Sequence, residues 1–480
     1  MWTWLANLWR TVSSSFWFFP GASLLAGLCL AIFMPVVDQH IGDRLPAVLR
    51  TTAPTARATI SALCGAMFTV TGVVFSTTIV ALSITSAQLG PRLLRNFLRQ
   101  MTPQITLAIC MATSVYCLVL LRRVDEIDGK VFVPHLSVAL ASVLGVATLL
   151  MIVIFIHRVS HSIQAQNVVS DVADDLDSAI SRLFPERIGE PPDPAADKDS
   201  APVGTSWETL WQRFDDEESS VVRADRDGYI QAVDDSGLLA LAEKQDALVR
   251  LNARPGDYVR EGQPLLYLLP RRADEDDLPD AEICRMFILG NTRTTQQDVE
   301  CAVNELVEVA LRALSPGIND SFTAIACIDR LSGTMRRLAR RRMPAGGRCN
   351  EDRKPRLVAK PREFSRVVDA AFNQIRQNAA GNVAVSIRLL DAIEAIGAET
   401  QREEDRQALL RQADMIGNAS TSAPIAEDDR RDLLQRHERL VRALERRQDE
   451  AASEWRQQGS EPQFDQSLGG VPQPRAPAST

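Results

Sequence analysis

Between Arg293 and Asp320 the sequence gathers residue types that hold ions and small polar ligands. Arg293, Asp298, Arg312, Ser315, Asn319 and Asp320 lie in one stretch. The run Ala313-Leu314-Ser315-Pro316-Gly317-Ile318-Asn319-Asp320 is its densest cluster of turn and polar residues. If the flanking helices fold back as a hairpin, these side chains can converge on an ion, a small polar ligand or a neighbouring subunit. The alternative is a well-capped helix–loop–helix corner held by structural ion pairs. Covalent catalysis has no candidate: Ser315 and Ser321 have no histidine near them in sequence, and His437 is far along the chain. Gly346-Gly347 lacks the strand and the Lys-Ser/Thr of a phosphate loop. His157 and His161 share a helical face, yet no carboxylate completes a metal site. No catalytic residue, metal site or cofactor is therefore assigned.

The elements that must position these residues follow from periodicity. Val299, Ala302, Val303, Leu306, Val309, Ala310 and Ala313 form one broad apolar face, so the spacing predicts a helix over 298–314. Thr294 or Thr295 is expected to cap it, with Asp298 in the first turn favouring the dipole. Ser315-Pro316-Gly317 stops that helix, and Asn319 or Asp320 starts the next, which runs to about 342. There Arg336, Arg337, Arg340, Arg341 and Arg342 complement the helix C-terminus, or meet anionic lipid or an acidic surface.

Upstream, Ser220–Arg223, Gly228–Val233, Ala247–Leu251 and Leu265–Leu269 read as short strands between turns. Gly256-Asp257-Tyr258-Val259-Arg260-Glu261-Gly262-Gln263-Pro264-Leu265 resembles the G-D-x-V-x-x-G-x-x-L element of barrel-sandwich modules in biotinyl and lipoyl carriers and membrane-fusion adaptors. Lys244 lies in a helical stretch with no flanking Met, unlike a carrier lysine, so no prosthetic group is expected.

The first third is apolar. A helix needs about 20 apolar residues to cross a bilayer, and 16–37, 60–87, 105–121 and 136–156 meet this without an acidic or basic residue. Trp2, Trp4, Trp9 and Trp17 surround the start of the first span, as interfacial aromatics do. In the second, Gly65, Thr69, Gly72, Ser76 and Ser83 form a stripe of small and hydroxyl side chains. Such a stripe packs within the bundle, joins subunits or lines a polar conduit. Arg92, Arg95 and Arg99 follow on one face and suit anionic lipid headgroups, or simply a solvated face.

Charge divides the chain in the same place. Residues 1–161 carry 11 Lys/Arg against 5 Asp/Glu, while the whole chain has a net charge of −8. The acidic remainder argues against nucleic-acid binding. The expected class is an α+β membrane protein: a four-helix transmembrane bundle over 1–161, a helix and linker over 162–206, and a small barrel-sandwich-like β module over 207–275. A helical soluble region follows over 276–455, with a disordered tail over 456–480. Cys284, Cys301, Cys327 and Cys349 form no disulfide pattern, which favours a reducing compartment for the soluble part. Both termini are then cytoplasmic, since four spans return the chain to its starting side. The Lys/Arg counts of the flanking loops do not decide the side.

Arg293-Thr294-x-x-Gln297-Asp298, the segment Arg312–Ala324, Phe75-Ser76, Gln88-Leu89-Gly90-Pro91-Arg92 and Gly228-Tyr229-Ile230-Gln231 together resemble a bacterial predicted-membrane-protein family. That family is filed as domain of unknown function two-two-five-four. The resemblance covers about residues 10–400, with Ser321 where the family has proline. It implies a multi-pass protein of the bacterial inner membrane and supplies no activity. The expected function is a membrane-anchored binding, sensing or scaffold protein in contact with the lipid bilayer, with a small ligand or ion at its soluble part. The alternative is an oligomeric channel whose second span lines a path and whose soluble part forms a vestibule.

Overall fold

The structure, a computed structural model, describes residues 18–41, 51–89, 101–124, 126–127, 130–131, 133–162, 164–184, 207–269, 280–341, 343–344, 346–350 and 354–458. Trp2, Trp4, Trp9, Trp17, Arg92, Arg95, Arg99 and Arg342, the linker expected at 189–206 and the tail beyond 458 lie outside those residues.

Four helices are long and apolar enough to cross a membrane. They are α1 (Phe18–Ile41), α2 (Ala53–Leu89), α3 (Met101–Leu121) and α4 (His135–Ser162), with a small hairpin of β1 (Glu126–Ile127) and β2 (Lys130–Val131) before α4. Helix α3 sits centrally, packed against α1, α2 and α4. Helix α1 continues past the apolar run and takes in Asp38. That buried carboxylate accepts hydrogen bonds from the backbone amides of Leu136 (2.8 Å) and Ser137 (2.9 Å) and from the Ser137 hydroxyl (2.6 Å). A buried carboxylate needs such donors; these also cap the first turn of α4. The expectation of spans without ionisable groups missed this contact, because Asp38 lies one residue beyond the first.

After a break at Gln164, α5 (Ala165–Leu183) follows α4 and begins the part of the chain beyond the four apolar helices. There follow α6 (Trp207–Asp216), β3 (Ser220–Arg223), β4 (Gly228–Val233), α7 (Asp235–Lys244), β5 (Leu248–Leu251), β6 (Tyr258–Val259), β7 (Pro264–Leu269), α8 (Asp280–Cys284) and β8 (Phe287–Gly290). The chain continues through α9 (Val299–Ala313), α10 (Ser321–Ala339), β9 (Gly347–Cys349), β10 (Pro355–Val358), α11 (Phe364–Asn378), α12 (Val383–Gly397), α13 (Glu403–Ser422) and α14 (Glu427–Gln458). Helix α14 thus carries regular structure into the range expected to be a tail.

The strands form a five-stranded sheet in the order β3-β7-β5-β10-β9 and a three-stranded sheet in the order β6-β4-β8. Only the β5–β10 pair is parallel among these. The two sheets share a core at Ile230, Val249, Val259 and Leu266, each fully buried. Strands β8, β9 and β10 come from beyond residue 275, so the β part reaches past its expected boundary and is knitted into the helical part. Arg250 fixes α6 to the larger sheet: its guanidinium lies 4.4 Å from the Tyr267 ring centroid and 4.9 Å from that of Trp211. It also donates to Asp215 at 3.0 Å.

Helices α5 and α9–α14 form a bundle around Leu176, Leu306, Leu331, Phe372 and Ile393, all fully buried. Burying a side chain of this size contributes about 1.5–3 kcal/mol. Helix α9 packs against α2 as well as α5, which ties the bundle to the membrane part.

Candidate functional site

Helix α9 separates the six polar residues into two groups. Asp298 and Arg293 stand at its N-terminal end, while Arg312, Ser315, Asn319 and Asp320 stand at its C-terminal end. A helix of 15 residues places these ends about 20 Å apart at 1.5 Å per residue. The hairpin forms, but the six side chains do not converge.

At the N-terminal end Asp298, not a threonine, is the helix cap. Its Oδ1 accepts from the Cys301 amide at 3.1 Å, and its Oδ2 accepts from Arg293 Nε at 2.8 Å and Nη2 at 2.7 Å. The turn at Gly256 closes over this pair with φ +99°, and a Cβ there would lie 2.4 Å from Asp298 Oδ2. Only glycine combines that backbone with that approach. One residue thus joins the β part to the start of α9.

Around this junction lies a cleft of about 500 Å³ between the sheets and the N-terminal ends of α9 and α11. Its basic side chains are Arg182, Arg254, Arg348, Lys360, Arg362 and Arg366, opposed by Asp235 and Asp257. Several are held by neighbours. Arg182, from the end of α5, donates to the carbonyls of Thr295 (3.0 Å) and Gln296 (3.2 Å). Lys360 stands 5.4 Å over the Trp211 ring. Arg362 donates to the Gln297 carbonyl, and Arg366 Nε lies 3.3 Å from Glu300 Oε1.

The electrostatics carry the cost of this crowding. Burial disfavours the charged form of Arg362 and pulls its pKa down, against the pull of Asp298 and Glu300. Burial pushes the Asp235 carboxyl up, and burial with the nearby Asp298 charge pushes Glu300 up. Helix α11 begins at the cleft without a hydrogen bond from its N-cap side chain, Glu363. Its first-turn amides and dipole add to the positive field. The arrangement can bind an anion. Among the described residues its lining includes no histidine, cysteine, serine or threonine.

At the other end of α9, Asp320 caps α10. Its Oδ1 accepts from the amides of Phe322 (3.0 Å) and Thr323 (3.1 Å), and its Oδ2 accepts from the Thr323 hydroxyl at 2.5 Å. Those bonds hold the carboxyl below its ordinary range, the Thr323 hydroxyl contributing most. Ser315 Oγ donates to the Arg312 carbonyl at 2.6 Å, and the Arg312 guanidinium lies 3.8 Å from Glu308. Asn319 adopts φ +50°. His437 pairs with Asp414 at 3.0 Å rather than with a serine.

A family model described as "Predicted membrane protein (DUF2254)" matches residues 13–395, which takes in the four apolar helices, both sheets and α9–α11. The chain belongs to that family. Uncharacterized proteins of Mycobacterium bovis and Mycobacterium tuberculosis are each 28% identical to it over 444 residues, 90% of this chain and 81% of the relative. No solved structure matches it.

Two further features of this DUF2254 chain take definite positions. On α2, Gly65, Thr69, Gly72, Ser76 and Ser83 are all exposed, and a Cβ at Gly65 or Gly72 would meet nothing within 4 Å. The stripe therefore faces away from the other described helices of its own chain, and packing against them does not explain it. The described part of the basic run at the C-terminal end of α10 is paired internally. Glu399 receives Arg336 (2.8 Å) and Arg340 (2.6 Å), Asp177 receives Arg337, and Arg341 donates to the Phe184 carbonyl at 2.8 Å. Among the described residues, no group of three His, Cys, Asp or Glu side chains is placed to hold a metal.

Of the charged residues that line the cleft, the sequence reading took in only Asp257, as part of a turn. Lys360-Pro361-Arg362 ahead of a helix is the one local signal that could have flagged the rest.

Proposed function

We propose that this DUF2254 protein is a membrane-anchored receptor for a small soluble anion, bound in the cleft between the sheets and the helical bundle. The carrying observation is the cleft itself: about 500 Å³, six basic side chains against two acidic ones, and the N-terminal end of α11 opening into it. A multiply charged ligand, phosphate-bearing or polycarboxylate, matches several arginines at once, because guanidinium binds such groups in a fork. The site stands about 20 Å along α9 from the Ser315–Asp320 corner, the end that in this reading faces the membrane, which favours a soluble metabolite over a lipid headgroup. In this reading the four apolar helices cross a bacterial inner membrane with both termini in the cytoplasm. The two sheets act as a barrel-sandwich-like unit that clamps the ligand against the bundle. Titration of the full-length protein in nanodiscs with inorganic pyrophosphate and nucleoside triphosphates tests this. Binding that weakens with salt and with Lys360→Gln or Arg348→Gln supports it. A complete absence of anion binding contradicts it.

The outward stripe on α2 favours a second, compatible reading, that the protein is a homo-oligomer. Small residues let helix backbones approach closely and hydroxyls bond across the contact. Gly72→Leu with Ser76→Leu is expected to lower the oligomer size in mild detergent. Unchanged size in that variant, or a wild-type monomer, contradicts the reading.

A further inference from the structure

The register of the bundle helices shows which end faces the membrane. Helix α5 starts where α4 ends, and the Asn167 side chain still donates to the His161 carbonyl at 2.7 Å across the break. Arg182, at the far end of α5, bonds to Thr295 and Gln296, just before α9 starts. Helix α9 therefore runs antiparallel to α5, back towards the membrane. Helix α10 then runs parallel to α5: Arg330 reaches Ser170 (3.1 Å), Thr334 reaches Asp177 (2.7 Å), and Arg341 reaches the Phe184 carbonyl. Ser321, where α10 starts, stands about 13 Å before Arg330 along the helix. That places it beyond the level of Ser170, towards the Ala165 end of α5 that adjoins α4. Helix α9 also packs against α2.

The corner at this end presents apolar groups outward. Pro316, Gly317 and Ile318 are exposed, and Phe322 is 86% exposed, more than any other large apolar side chain among the described residues. Asn319 is exposed beside them, while the other polar side chains of the corner are bonded locally. The Asp320 carboxylate is taken up by the first turn of α10, Ser315 bonds to the Arg312 carbonyl, and Asn382 Nδ2 donates to Ser321 Oγ at 2.6 Å. That last bond brings a second corner, Ala379-Ala380-Gly381-Asn382, alongside, and this one carries no charge. A water-facing corner gains nothing from an exposed phenyl ring, whereas Phe and aliphatic side chains gain from burial at the headgroup–acyl boundary.

We propose that the Pro316–Phe322 corner is a lipid-contacting element, with Ile318 and Phe322 entering the interface of the bilayer that α1–α4 cross. It seats the bundle against the membrane beside α2 and leaves the cleft facing the aqueous side. The proposal rests on the membrane placement of the four helices, and the anion reading can fail without touching it.

Site-directed spin labelling of the full-length protein in phosphatidylcholine–phosphatidylglycerol vesicles tests this. Cys29, the exposed cysteine among the eight, is replaced by Ala, and a nitroxide is attached at Phe322→Cys, Ile318→Cys or, as an aqueous control in the β part, Glu261→Cys. Molecular oxygen concentrates in lipid and a neutral nickel chelate in water. Labels at 318 and 322 are expected to be relaxed more by oxygen than by nickel, with the reverse at 261. Nickel access at 318 and 322 equal to that at 261 overturns the proposal. So does shielding from both reagents, which would mean that protein, such as a second copy of the chain, covers the corner. The two corner labels report independently, so misfolding of one variant leaves the other to decide.

Discussion

Asp298 holds Arg293 with one carboxylate oxygen, at 2.7 and 2.8 Å, and caps α9 with the other, at 3.1 Å. One buried side chain thus sets both the start of a core helix and the position of a cation beside the cleft. Replacing Asp298 with Ala removes the cap and leaves a partly buried guanidinium without its main partner. The expected loss is roughly 2–4 kcal/mol, read as a fall of several degrees in Tm of the detergent-solubilised protein. Asp298→Asn keeps a capping oxygen and should lose clearly less. Equal losses in the two variants would show that the cap contributes little.

Gly256 makes a related prediction from the other side of the junction. Its φ of +99° and the 2.4 Å approach to Asp298 Oδ2 mean that Gly256→Ala strains the turn and displaces the carboxylate. A cost of about 1–3 kcal/mol is expected for the backbone alone. In a double-mutant cycle with Asp298→Ala the two losses should be less than additive, because both break the same contact. Strict additivity would mean that the turn and the cap are independent.

Asn319 sits at φ +50°, where glycine is at ease and β-branched residues are strained. Asn319→Gly should leave thermal stability almost unchanged, and Asn319→Val should cost about 1–2 kcal/mol. A ligand-binding role for Asn319 would appear instead as a change in anion titration with no change in melting.

Glu399 supplies a pH prediction. Hydrogen bonds first from Arg340 and then from Arg336 hold its carboxyl at about 2, below the ordinary 4.5. A lowered folded-state pKa contributes stability that is present above the unfolded value and is lost as pH falls through the folded one. The difference in Tm between wild type and Glu399→Gln should therefore be constant near neutrality, shrink below about pH 4.5 and vanish near pH 2. Its size should be modest, about 1 kcal/mol or less, because both arginines are partly exposed. A difference that grows in acid would contradict this pairing.

What the sequence makes legible is local. The strands Ser220–Arg223 and Gly228–Val233 announce themselves by composition and turns, the long apolar runs by length, and α9 by its apolar face; all appear where expected. Asp320 at the start of α10 is legible for the same reason, since a cap is a contact with the next turn. The cleft is not, because Arg182, Arg254, Arg348 and Arg366 come from four separate elements and meet only when β9 and β10 join β5. Nor does the pattern on α2 say which face is inward. Lipid and protein interior are both apolar, so a membrane helix lacks the polar stripe that orients a water-soluble one.

The central claim is that the cleft binds an anion, and isothermal titration of inorganic pyrophosphate into the full-length protein in nanodiscs tests it most directly. Wild type should bind with an affinity that falls as salt is raised. Lys360→Gln and Arg348→Gln should each weaken binding about tenfold, the scale of one lost charge-assisted hydrogen bond. Binding that is unaffected by either substitution, or no heat with pyrophosphate or any nucleoside triphosphate, would contradict the account.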